Sequence, residues 1–176
     1  MGSSVLLHRK LSLTSKKHDL ELKLTQISDD LLDHQSYASA IAEGGVSATN
    51  LMSLPNSVFG RGINYVQASG AYANMSANEK MQLLQNSGYI NSLYTSGMSP
   101  QEQQMVQQQV YQNLHAQALE EFKKQETLLL NQKEKQLSKS KIMAETQLEE
   151  IKAQLQTIDK QLAEDIKDET PKFGLS

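Results

Sequence analysis

Apolar residues at alternating steps of three and four mark both ends of this chain. Near the start, Leu6, Lys10, Leu13, Lys17, Leu20, Leu24, Ile27, Leu31, His34, Ala38 and Ile41 fall on one stripe of a helix. That is the spacing of a coiled-coil seam. It returns near the end through Leu137, Lys141, Ala144, Leu148, Ile151, Leu155, Ile158, Leu162 and Asp165. A lone helix is marginal in water, whereas each fully buried Leu or Ile contributes about 1.5–3 kcal/mol. Two such seams imply that each is covered.

Glycine and proline divide the chain into three regions. Neither occurs between Leu6 and Ala42, seven of the nine glycines lie between Gly44 and Gly97, and only Pro100 interrupts Ser99 to Thr170. The expected organisation is an N-terminal coiled-coil helix over 5–42, a Gly/Asn/Ser-rich middle with short helices over 43–98, a long C-terminal helix over 99–168, and a tail over 169–176. Thr170-Pro171 is the expected stop of the long helix.

The stretch SPQEQQMVQQQVYQNL, residues 99–114, is rich enough in glutamine to suggest a disordered tract. Position argues otherwise. Ser99 is a good N-cap, Pro100 suits the first helical position, and Glu102 lies three residues after the cap. Met105/Val106, Val110, Leu114, Ala118 and Phe122 then recur about every four residues, among glutamines that tolerate a helix. The tract is predicted to open the long helix. Its four-residue spacing drifts against the later heptad, and Leu128-Leu129-Leu130 is expected to widen the apolar face between them.

The middle is less regular. Ser76-Ala-Asn-Glu79 is a second capping-box pattern, predicting a short helix that ends at Ser87-Gly88. Phe59, Ile63, Val66 and Ala73 fit a helical stripe, but Gly60, Gly62 and Gly70 weaken it. Gly60-Arg61-Gly62 suggests a short loop. No run alternates as a strand would.

The seams can pair antiparallel within one chain. In the favoured register Leu13 meets Leu162, Leu20 meets Leu155, Leu24 meets Ile151 and Ile27 meets Leu148. Lys10 then falls opposite Asp165, and His34 near Lys141, so that polar layers coincide. Leu31 also lies on the seam, while Ile158 falls opposite Lys17 and Ile41 opposite Glu134, two imperfect matches that a lysine stem lying along apolar surface can tolerate. Basic residues crowd 8–18 and acidic ones 159–169, which agrees in orientation, although one surface pair is worth only ~0–1 kcal/mol. Pairing of the same seams between copies is the alternative. The fold expected is all-α: an elongated antiparallel coiled-coil stalk of the two terminal helices, with a small helical and loop-rich middle.

Composition agrees with a narrow core. Hydrophobic residues make up 38% of the 176, aromatics 5%, and Trp and Cys are absent. That is thin material for a broad globular interior but enough for one buried face per helix. The net charge of −3 supplies no general drive toward nucleic acid. No apolar run reaches the roughly 20 residues that span a bilayer, and the N-terminus lacks a signal-like apolar segment. Leu6 stands where a myristoylation pattern wants Ser or Thr. Location is thus either cytoplasmic or outside by a route without a cleaved signal. His8, His18, His34 and His115 form no metal-ligand spacing, no nucleophile elbow or phosphate-binding loop occurs, and the carboxylates follow helical charge patterning. No cofactor and no catalysis are expected. Met52, Met75, Met81, Met98, Met105 and Met143 are expected to fill irregular packing.

Helical ends around a softer middle rich in Gln, Asn and Ser, without Cys or Trp, give a layout that resembles flagellin-like and type III secretion filament subunits. The opening LLHRKLSLTSKKHDLELKLTQIS also resembles the start of some uncharacterised bacterial coiled-coil proteins. The first resemblance implies terminal helices that pack and polymerise, and export without a cleaved signal; no functional residue transfers from either. The function expected is a non-enzymatic, self-assembling structural subunit of a bacterial filament or secretion-linked apparatus, working as a homo-oligomer. The alternative is a coiled-coil chaperone or adaptor, similar to prefoldin in its paired terminal helices, that binds protein partners as a small oligomer.

Overall fold

The computed structural model describes residues 2–44 and 48–169. Its elements are α1 (Gly2–Ala42), α2 (Ala48–Ser53), α3 (Asn56–Asn86), α4 (Tyr89–Ser92) and α5 (Pro100–Glu169), with no strand among the described residues. The fold is all-α, and the two long helices pack against each other antiparallel. The stop at Thr170-Pro171 and the tail beyond it lie outside the described residues. The chain forms two compact units, Met1–Leu32 with Lys135–Ser176, and Asp33–Glu134. Both boundaries cut long helices rather than the glycine-rich punctuation.

The first unit is a pair of helices, α1 up to Leu32 and α5 from Lys135. Leu13, Ile27, Ala144, Leu148 and Ile158 are buried. Leu6, Leu20, Leu24, Leu31, Leu137, Ile151, Leu155 and Leu162 are half-buried beside them. Two helices share one line of contact, so residues flanking that line stay partly wet.

The second unit contains the end of α1, the three middle helices and the first part of α5. α5 starts as its residues predict. The Ser99 amide donates to Glu102 Oε2 at 2.7 Å, and the Glu102 amide donates to Ser99 Oγ at 3.3 Å. This reciprocal box satisfies two amides that helix geometry would otherwise leave open. The glutamine tract is helical throughout, with Ala118 buried and Val106, Val110, Leu114 and Phe122 half-buried, while Met105 points to solvent.

The middle departs from expectation. Residues 56–86 form one continuous helix through Gly60, Gly62 and Gly70. Arg61 is therefore helical, not in a loop, and Ser76 caps nothing because it is buried in mid-helix. The cause is tertiary: Gly62, Tyr65, Ser69, Ala73 and Ser76 are buried at steps of three and four. Small residues on that stripe let α3 lie close to its neighbour, and packing overrides a propensity cost of about 1 kcal/mol per glycine. α3 runs antiparallel to α5, its contacts moving from Arg61–Glu126 through Tyr65–Phe122 to Asn74–Tyr111. Gly88, at φ +78°, ends α3 in a left-handed conformation that a side chain would strain.

Two further expectations need correction. Of Leu128-Leu129-Leu130 only Leu130 is buried, while Leu128 and Leu129 face solvent, because three consecutive residues cannot share one helical face. Met52, Met75, Met105 and Met143 are exposed rather than filling gaps.

Candidate interaction surfaces and a buried polar cluster

In the first unit, Lys10 and Asp165 are both half-buried, but they do not form the expected pair. Lys10 Nζ lies 2.7 Å from Asp159 Oδ1, about two turns short of Asp165 on α5. Asp165 Oδ2 instead sits 3.6 Å from where a β-carbon at Gly2 would stand. Leu20 lines a shallow groove with Gln147 and Ile151, up to about two turns before Leu155 on α5. The helices are therefore offset by nearly one heptad from the register that aligned the polar layers. A shift of one heptad restores apolar-on-apolar matching, so the seam tolerates it.

The other polar layer is also reassigned. His34 is buried in the second unit, where its Nε2–H donates to the Leu130 carbonyl at 2.9 Å, while Lys141 belongs to the first unit and is half-buried there. A donor inserted toward a helical carbonyl satisfies the imidazole without a charged partner. Gln35 donates to Glu134 nearby at 3.3 Å.

Tyr37, Ile41, Leu54, Tyr65 and Leu130 form the apolar core of the second unit, with Ala38, Leu51, Val58 and Phe122 packed around it. Phe122 lies between Tyr65 and Tyr72, with 5.6 Å between ring centroids on each side and tilted planes, the geometry aromatic quadrupoles favour.

A polar cluster crosses this core. Glu126 Oε1 accepts from the Tyr37 hydroxyl at 3.0 Å and from Arg61 Nε at 2.8 Å. The Arg61 guanidinium carbon stands 5.5 Å from the Tyr37 ring centroid, a cation–π arrangement. Three helices, α1, α3 and α5, each contribute one member. The Glu126 side chain is 13% exposed and that of Arg61 38%, so the carboxylate is the member that most needs its partners. Burial, then the Glu126 charge, pushes the Tyr37 hydroxyl well above the ordinary tyrosine range. Burial opposes the Arg61 charge, but the Glu126 hydrogen bond and charge prevail and raise its pKa further. Tyr65 is raised too, by burial and then by Glu126 and Glu120.

Chemically this cluster is a clamp: the Tyr37 hydroxyl and Arg61 Nε converge on one carboxylate oxygen, and no described buried side-chain N or O atom lacks a partner. Sequence reasoning set Arg61 in a loop and passed over Tyr37 and Glu126. The available signal was an aromatic at Tyr37 in heptad step with His34 and Ile41.

Among the described residues, no group of three or more His, Asp or Glu side chains could hold a metal ion, and no helix is long and apolar enough to cross a membrane. The surface carries exposed apolar side chains on several helices, among them Leu7, Leu11, Leu22 and Leu32 on α1, Leu83 on α3, and Met105, Ile142 and Met143 on α5. No protein-family model matches this chain, and neither does any curated protein or solved structure.

Proposed function

We propose that the chain is a non-enzymatic helical structural subunit that self-assembles through coiled-coil contacts between copies. The observation that carries this reading is that α1, besides its seam toward α5, keeps Leu7, Leu11 and Leu22 exposed on the opposite side, with the polar Ser15 and His18 between them. A helix with a single partner needs one apolar stripe, and apolar side chains beyond it are available to a second helix. The layout resemblance to flagellin-like and type III secretion filament subunits supports a bacterial filament or secretion-linked apparatus as the setting.

A coiled-coil chaperone or adaptor is the second reading, favoured by the exposed Met52, Met75 and Met105. Flexible thioethers adapt to varied apolar partners. Light scattering and electron microscopy of the purified chain separate the two. Open-ended filaments support the structural subunit. A fixed small oligomer that keeps an unfolded protein from aggregating supports the chaperone. A monomer at every concentration overturns both.

A further inference from the structure

We infer that the Tyr37–Glu126–Arg61 cluster is a register lock: it selects one alignment of α1 along α5 from a set that apolar packing leaves nearly equivalent. The lock acts within one chain and holds whether or not the chain assembles.

The seams themselves repeat. Leu13, Leu20 and Ile27 on α1 fall one heptad apart, and Leu137, Ile151 and Ile158 on α5 fall at whole heptads. A slide of one heptad, about 10 Å along the axis, therefore exchanges one apolar residue for another. Two other bonds between α1 and α5 in the second unit do not break the tie. His34 donates to a backbone carbonyl, that of Leu130, and a backbone carbonyl stands at every residue of α5. Gln35 and Glu134 meet at the surface, where water readily takes the place of either partner.

The cluster does break it. Tyr37 is fully buried, and its hydroxyl reaches Glu126 Oε1 at 3.0 Å, beside Arg61 Nε at 2.8 Å. One heptad before Tyr37 stands Asp30, and one after it Gly44; one heptad before Glu126 stands Leu119, and one after it Lys133. Because the helices run antiparallel, one slide sets Asp30 against Glu126 and Tyr37 against Leu119. That brings two carboxylates together and leaves the Tyr37 hydroxyl on an apolar side chain. The opposite slide sets Gly44 against Glu126 and Tyr37 against Lys133. Glu126 then loses its tyrosine donor, and a second cation enters beside Tyr37. With its side chain only 13% exposed, Glu126 has little water to replace a lost donor. Arg61 secures that carboxylate from α3 and has no equivalent either, since Leu54 and Ala68 stand one heptad away. A polar residue buried at a single seam position fixes register in this way, at some cost in stability.

The absence of cysteine makes the test direct. Spin labels at Ser39→Cys and Gln104→Cys, both exposed positions of the second unit, read the alignment of α1 along α5. Labelled chains are diluted in unlabelled protein, so that each distance lies within one chain. The otherwise native chain should give one distance. The triple variant Tyr37→Phe, Arg61→Met, Glu126→Leu keeps apolar bulk and removes the lock, and replacing a whole buried ionic set by apolar residues need not unfold a protein. It should keep its helical circular dichroism and add a second distance, about 10 Å shorter or longer than the first. A single unchanged distance would overturn the inference, because packing and the turns would then set the alignment alone. A second variant moves the lock by one heptad. Asp30→Tyr with Tyr37→Leu retains Glu126 and Arg61, and should bring position 30 to Glu126 and shorten the distance by about 10 Å. That variant decides the question where the triple variant does not fold, and retention of the native distance in it would equally overturn the lock.

Discussion

Two side-chain pairings carry much of the local logic, and both respond to pH. Hydrogen bonding to the Ser99 amide, and then to the Ser99 hydroxyl, holds the Glu102 carboxyl below the ordinary glutamate range. A carboxyl lowered in the folded state stabilises the fold above its unfolded pKa, and that contribution is lost as pH falls through the lowered value. NMR titration should therefore find Glu102 ionising at lower pH than exposed glutamates, and Ser99→Ala, which keeps the amide donor and removes only the hydroxyl, should bring it part of the way back. Loss of the cap itself should cost about 1 kcal/mol. Tyr37 responds in the opposite direction. Its raised pKa adds stability that is complete below the ordinary tyrosine range and lost as pH climbs, because the unfolded chain releases its proton first. Tyr37→Phe keeps the ring and removes the hydroxyl from Glu126. Urea unfolding should show a loss of about 0.5–1.5 kcal/mol at neutral pH, and a shallower decline in alkaline solution than wild type. An unchanged alkaline slope would mean that Tyr37 ionises as freely in the folded chain as in the unfolded one.

At the scale of the element, α3 shows where local preference and packing part. Its buried stripe, Gly62, Tyr65, Ser69, Ala73 and Ser76, keeps the same three-and-four spacing as the terminal seams. In the terminal seams the stripe is written in Leu and Ile, so hydropathy contrast makes it visible in the sequence. In α3 it is written mostly in Gly, Ser and Ala, which carry little hydropathy contrast and are also the residues of turns. The helix therefore hid behind its own close packing. Not every glycine in it serves that packing. A β-carbon at Gly60 or Gly70 would meet nothing within 4 Å, and both lie inside a helix. Gly60→Ala and Gly70→Ala should each stabilise the chain by about 0.5–1 kcal/mol, read as a rise in thermal midpoint. Either variant lowering the midpoint would show that the glycine's freedom or smallness is used. The start of α5 was legible for the converse reason: a Ser-Pro-x-Glu box is a local instruction that needs no distant partner.

At the scale of the whole molecule, the all-α class and the antiparallel packing of the long helices could be read in advance, but their register could not. Sliding two heptad seams by seven residues again sets apolar on apolar, so neighbouring registers differ mainly in their polar layers, each worth about 1 kcal/mol or less when exposed. Matching Lys10 with Asp165 was such a layer, and the Lys10–Asp159 bridge displaces it. A slip of this kind is measurable. His8 and Gln161 are exposed on α1 and α5, near either end of the Lys10–Asp159 contact, and the axes of packed helices stand about 8–10 Å apart. Spin labels at these two positions should report a short distance. Moving the second label from Gln161 to Asp168, about two turns along α5, should lengthen it. Because both labels sit on one chain, the short distance should survive dilution with unlabelled protein. Its disappearance on dilution would mean that α1 and α5 meet between copies rather than within one, and the register would then belong to the assembly.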